Sequence, residues 1–245
     1  MSNPHPGENR RRNPIIVALD VPTADQAISL AEIVAPAVGA FKIGSELFTA
    51  AGPDIVRRIR ATGADVFLDL KFHDIPNTVA KAVASAVRLD VQMLTIHTSG
   101  GPAMMKAAEE AAHKTAEACG RPAPLVLGVT VLTSMDGPEL GSVGVRETVG
   151  HQVERLASLA ASSGLRGLVC SPLELAGLRA LLPEEMQFVT PGIRGPGDAA
   201  GDQKRTLSAA EAIAAGASRL VIGRPIYAAA DPRAAAERIL QSIPE

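Results

Sequence analysis

From Pro14 onward, short apolar runs alternate with longer stretches whose apolar positions recur at helical spacing. The runs predict strands over Ile15–Leu19, Ala40–Ile43, Val66–Leu70, Met93–His97, Leu125–Val131, Gly167–Cys170, Gln187–Thr190 and Arg219–Ile222. Most are unbroken apolar segments, as expected of parallel strands covered on both faces. The intervening segments read as amphipathic helices. In Leu47–Arg60, for example, Leu47, Ala51, Ile55 and Ile59 form one stripe, with Phe48 and Val56 beside it. Arg57, Arg58 and Arg60 fall mostly on the other side, so the stripe would face a sheet. Gly63, Gly164 and Gly216 each stand just before a predicted strand, where glycine allows the left-handed turn that closes a helix.

Eight strand–helix units from residue 14 to 245, with no Pro-, Gly- or Ser-rich linker between halves, predict a single (β/α)₈ TIM barrel. An open, doubly wound sheet is the alternative, but it often carries a glycine-rich turn after its first strand. Here that strand is followed by Asp20-Val21-Pro22. Residues 1–13 are polar, with Arg10, Arg11 and Arg12 in a row, and read as a flexible N-terminal extension. No apolar core with a cleavage site follows them, so they do not form a secretory signal.

Composition narrows the function. The 245 residues carry 24 basic and 26 acidic side chains, a formal charge of -2, which gives no basic excess for a nucleic acid. With one Tyr, five Phe and no Trp, an aromatic platform for stacking bases is not expected. No apolar run approaches the length of a bilayer span. Two cysteines, Cys119 and Cys170, are too few for a disulfide framework and fit a reducing compartment. A cytoplasmic protein acting on small molecules, without membrane or nucleic-acid partner, is the expectation.

In a barrel of this kind the chemistry sits at the C-terminal ends of the strands. Those ends supply Asp20, Lys42, Asp69 with Lys71, His97, Thr133 with Ser134, Ser171, Arg194 and Arg224. Side chains alternate along a strand, so Asp69 and Lys71 share a face while Leu68 and Leu70 point to the helices. If the shared face is the barrel interior, an acid and an amine enter the site side by side, and Lys42 adds a second cation. A structural ion pair is the other reading. However, desolvating several charges is costly, and such clusters more often mark function.

The stretch Thr190-Pro191-Gly192-Ile193-Arg194-Gly195-Pro196-Gly197, continuing to Gly201-Asp202-Gln203, follows the seventh strand. The eighth ends in Gly223-Arg224-Pro225-Ile226. These two loops are the usual phosphate site of such barrels. Gly223 would let backbone N–H groups approach a phosphate, and Arg224 could pair with it bidentately. His73, His97 and His151 lack metal-site spacing with carboxylates or thiols. His97 would either line the pocket or serve structurally. Neither a nucleophile elbow nor a P-loop is present.

The segment Asp69-Leu70-Lys71-Phe72-His73-Asp74-Ile75-Pro76-Asn77-Thr78 closely resembles the signature of the orotidine 5′-phosphate decarboxylase family. The other blocks stand in family order: Ala18-Leu19-Asp20, Phe41-Lys42-Ile43-Gly44, Val129-Thr130-Val131-Leu132-Thr133-Ser134, Pro191-Gly192-Ile193-Arg194, Asp202-Gln203 and Gly223-Arg224-Pro225-Ile226. The resemblance implies decarboxylation of orotidine 5′-monophosphate to uridine 5′-monophosphate, in de novo pyrimidine synthesis, with no metal and no organic cofactor. It implies that Lys71 protonates C6 and that Lys42, Asp69 and Asp74 complete a charged tetrad. Asp74, with Ile75 and Thr78, would reach the site of a neighbouring subunit, which implies a homodimer. Asp20 and Lys42 would contact the ribose, Thr133 or Ser134 the base, and Gln203, Gly223 and Arg224 the phosphate, with Arg194 on a closing loop.

The shorter Asp-x-Lys-x-x-Asp pattern is shared with phosphosugar decarboxylases and hexulose-phosphate synthases, which would need a divalent metal. The Ile-Pro-Asn-Thr, Leu-Thr-Ser and Pro-Gly-Ile-Arg blocks favour the orotidylate enzyme. A Schiff-base aldolase using Lys42 or Lys71 and a silent nucleotide-binding scaffold are the remaining rivals.

Overall fold

The structure is a computed structural model and describes residues 13–194 and 206–244. Its strands are β1 (Ile15–Ala18), β2 (Ala40–Gly44), β3 (Asp65–Phe72), β4 (Met93–His97), β5 (Leu125–Val129), β6 (Gly167–Val169), β7 (Gln187–Thr190) and β8 (Arg219–Ile222). They pair in parallel in chain order, and β8 returns to β1, with Val17 opposite Ile222, to close the barrel. The predicted (β/α)₈ barrel is therefore the observed fold.

The principal helices on the outside are α1 (Ala24–Val34), α2 (Ser45–Ala51), α3 (Asp54–Arg60), α4 (Pro76–Arg88) and α5 (Gly101–Ala118). They continue with α6 (Gly137–Ser142), α7 (Val149–Ser162), α8 (Leu175–Leu181), α9 (Ala209–Ala214), α10 (Arg224–Tyr227) and α11 (Pro232–Gln241). Gly63, Gly164 and Gly216 all have positive φ, as expected of residues that close helices. The expected helix over Leu47–Arg60 is instead two helices. Gly52, at φ +68, ends α2 while its N–H donates to Phe48 O, and Pro53 precedes α3. The apolar stripe continues across the break because both pieces pack on the same core, through Leu47, Ile55 and Ile59. β5 stops at Val129 and β6 at Val169, short of the predicted ends, whereas β3 runs on to Phe72.

Strand alternation divides the apolar residues into two sets. Ile15, Val17, Phe41, Val66, Leu68, Leu94, Ile96 and Phe188 face outward and join the helices in the main core. Ile16, Ala18, Ala40, Phe67, Met93, Leu127, Val189 and Val221 face inward and plug the barrel. Small Ala18 and Ala40 stand among large Phe67 and Met93, which lets the plug fill the interior. Two residues further along the strands, the inward positions become Asp20, Lys42, Asp69 and Thr95. A polar layer therefore rests directly on an apolar floor.

Asn13 anchors the start of the barrel: its amide donates to Ala37 O at 2.8 Å and accepts from Ile15 N at 3.0 Å. Residues 1–12 of the expected extension lie outside the described residues.

Candidate active site

A cavity of about 620 Å³ opens at the C-terminal mouth of the barrel. Its floor is made by Ala18, Phe67, Val129, Val169 and Val221. Asp20, Lys42, Asp69 and Lys71 line one side, and Thr133, Gly192, Arg194, Gly223 and Arg224 complete the wall.

The four charged side chains form an alternating row. Lys42 Nζ lies 3.0 Å from Asp20 Oδ1 and 4.0 Å from Asp69 Oδ2, and Lys71 Nζ lies 2.8 Å from Asp69 Oδ1. The Lys42 and Asp69 side chains are only 12% and 14% exposed, so the inner pair is largely withdrawn from water. Such burial is costly for each ion and is offset here by the alternation of sign. Gly44 follows Lys42 closely; a Cβ there would stand 3.1 Å from Lys42 Nζ.

Local backbone geometry on β3 brings Asp69 and Lys71 together. Leu68 pairs with Leu94 and Phe72 with Ile96, so β3 has three residues, 69 to 71, where β4 has only Thr95. The resulting bulge bends the strand. Within it Lys71 adopts φ +50, the left-handed region that a non-glycine residue rarely enters. Thr95, fully buried, lies opposite: its Oγ1 accepts from Lys71 N at 2.9 Å and donates to Asp69 Oδ1 at 2.9 Å.

Asp74 and Thr78 do not join this row. Asp74 is exposed and accepts a hydrogen bond from Ile75 N, while Thr78 lies exposed in the first turn of α4. Ile75 between them is 66% exposed, unusual for a large aliphatic residue. Thr133 lines the cavity, and Ser134 is exposed beside it. Arg194 donates to Ile193 O at 2.8 Å, and Arg224 opens α10 immediately after Gly223. Gln203, with the rest of residues 195–205, lies outside the described residues.

Three cavity or near-cavity residues escape a reading confined to strand ends. Glu46 sits in the first turn of α2 and Tyr227 at the end of α10, and both line the cavity. Thr95 lies within β4, where the alternation from Met93 was the available signal. His97 packs against His73, with ring centroids 5.3 Å apart and tilted. Burial, then the neighbouring His73 and Lys71, lower its pKa below the usual 6.5. Burial likewise pushes the Cys170 thiol up to about 12, which leaves it an unreactive packing residue. Among the described residues, no group of three or more His, Cys, Asp or Glu is arranged to hold a metal ion.

Comparison with known proteins places this geometry in a family. A model described as the Orotidine 5′-phosphate decarboxylase / HUMPS family matches residues 13–239. The chain belongs to that family. Among curated family members, the orotidine 5′-phosphate decarboxylase of Moorella thermoacetica is 50% identical over 233 residues, covering 95% of this chain and 92% of that protein. The orotidine 5′-phosphate decarboxylase of Opitutus terrae is 52% identical over 229 residues, covering 94% and 97%. The crystal structure of orotidine 5′-phosphate decarboxylase from Lactobacillus acidophilus superposes with a TM-score of 0.83 at 36% identity, covering 94% of this chain and 98% of that one.

Proposed function

We propose that this chain decarboxylates orotidine 5′-monophosphate to uridine 5′-monophosphate and CO₂, in de novo pyrimidine synthesis, with Lys71 as proton donor to C6. The observation that carries this reading is the Asp69–Lys71 contact at 2.8 Å, set in a polar row above an apolar floor. The named relatives at about half identity support the substrate.

The chemistry follows from the charges. The bond between C6 and the substrate carboxylate breaks, CO₂ departs, and the electron pair stays on C6. That carbanion needs nearby positive charge and a proton. Lysine is an ammonium at neutral pH and offers both; after transfer the neutral amine regains a proton from solvent. Asp69 holds the ammonium in place, and Lys42 adds a fixed cation beside it. Such prearranged groups stabilise developing charge without reorganising during reaction. Arg194 and Arg224, across the cavity with Gly223, would take the 5′-phosphate, joined by Gln203. Thr133 would meet the base, and Asp20 with Lys42 the ribose. Phosphate binding remote from C6 can then contribute to assembling the charged site.

The exposed segment from Asp74 to Thr78 suits a shared site. Ile75 offers apolar surface for a second copy of the chain, and Asp74 and Thr78 would complete the partner's cavity in a homodimer. The free thiols of Cys119 and Cys170 suit the reducing cytoplasm, and no described helix is long and apolar enough to cross a membrane.

The test is loss of orotidylate absorbance on adding purified, EDTA-treated protein. Turnover in EDTA separates this reading from a metal-dependent phosphosugar decarboxylase or hexulose-phosphate synthase. Lys71→Ala should lower turnover by about 10²–10⁴-fold, the range for loss of a positioned acid. Near-normal turnover in that variant rejects the donor role.

A further inference from the structure

We infer that Thr95 is a positioning residue for the Asp69–Lys71 pair; the inference rests on the decarboxylase reading and adds a residue to it. Thr95 continues the inward series from Met93 and stands in the polar layer as its one fully buried hydroxyl donor to a carboxylate. It is also the single β4 residue opposite the three-residue bulge of β3. There the ladder lapses, and Lys71 N would lose its partner without the Thr95 hydroxyl. A buried N–H without a partner is costly.

The direction of each bond is settled by chemistry. The backbone N–H of Lys71 can only donate, so Thr95 Oγ1 accepts from it and its own proton goes to Asp69 Oδ1. One hydroxyl therefore fixes the backbone of the lysine and the carboxylate of the aspartate. Lys71 Nζ meets the same Oδ1 atom at 2.8 Å, which closes a ring of hydrogen bonds through Lys71 N, Thr95, Asp69 and Lys71 Nζ. The left-handed φ of Lys71 is a strained conformation held by its surroundings, and this ring is the contact that holds it.

Thr95→Val keeps the shape and removes both bonds. It should lower kcat by about 10- to 100-fold, the size expected for losing a hydrogen bond to a charged group, while KM moves little because the phosphate contacts are remote. Thr95→Ser should restore most of kcat. A crystal structure of Thr95→Val should show Lys71 leaving the left-handed region or Nζ leaving Asp69. Wild-type kcat in Thr95→Val, equal damage in Thr95→Ser, or an unmoved Asp69–Lys71 pair overturns the proposal. If Thr95→Val does not fold, Thr95→Ala carries the same split, and unchanged kcat there overturns it as well. Failure of the underlying reading looks different: the wild-type protein would then leave orotidylate absorbance unchanged, or Lys71→Ala would turn over normally, whatever the geometry in the Thr95 variants.

Discussion

Thr95 and His97 share a face of β4, yet they meet the charged row in opposite ways. Thr95 is bonded into it, whereas His97 sits beside it, its pKa lowered by burial, by His73 and by Lys71. A histidine whose folded pKa is lowered binds its proton more readily when unfolded, so stability rises with pH across the interval between the two values. The His97 contribution is thus neutral above pH 6.5 and becomes destabilising as pH falls below it, levelling off beneath the folded value. Urea midpoints measured from pH 7.5 downward should fall, and His97→Gln should flatten that slope. An identical slope in the variant would show that other groups set it. At this scale Asp20, Lys42, Asp69 and Lys71 are legible in the sequence, because charges at the ends of apolar strands have few structural uses. Thr95 is not: within Met-Leu-Thr-Ile-His it reads as an ordinary β-branched strand residue, and its role depends on a bulge in another strand.

Among elements, the strand bounds legible in the sequence fall within a residue or two of the observed ones, because continuous burial leaves a continuous apolar run. Helix boundaries are less legible. The stripe from Leu47 to Ile59 keeps its spacing across Gly52 and Pro53, so periodicity alone joins α2 to α3, and only the two breakers signal the interruption. β5 shows how tightly the barrel wall meets its helical shell. A Cβ on Gly128 would come within 2.6 Å of Thr98 Cγ2, and Thr98 is itself fully buried and bonded to Val129 O. Thr98 cannot retreat without giving up that bond. Gly128→Ala should therefore cost about 1–3 kcal/mol, the usual range for overpacking. Urea unfolding would reveal it as a lower midpoint with an unchanged slope.

For the whole molecule, the described cavity contains two lysines and two aspartates, while Asp74 and Thr78 stand outside it. A sequence motif lists these residues together, but the fold separates them, and a second copy is the proposed means of reuniting them. Two inactive variants, Lys71→Ala and Asp74→Ala, should therefore regain part of the activity when mixed under conditions that let subunits exchange. A mixed site would take its lysine from one protomer and its aspartate from the other. No recovery despite demonstrated exchange, or full activity in a monomer, would reject the shared site. The phosphate side is less legible than the charged row, because a glycine-rich loop and an arginine are common on their own. Only their placement after β7 and β8 gives them meaning.

The bulge in β3 also bears on how such a protein can change. Pairing with β4 is regular up to Leu68 and resumes at Phe72, so the two charged residues that β3 gives to the site stand on an insert within the strand. Residues 69 and 71 can vary in kind while the flanking pairs keep their partners and Leu70 keeps its packing on the core. A barrel built this way offers a lineage separate handles on reactivity and on folding, and new chemistry can be tried at the insert without renegotiating the wall that carries it.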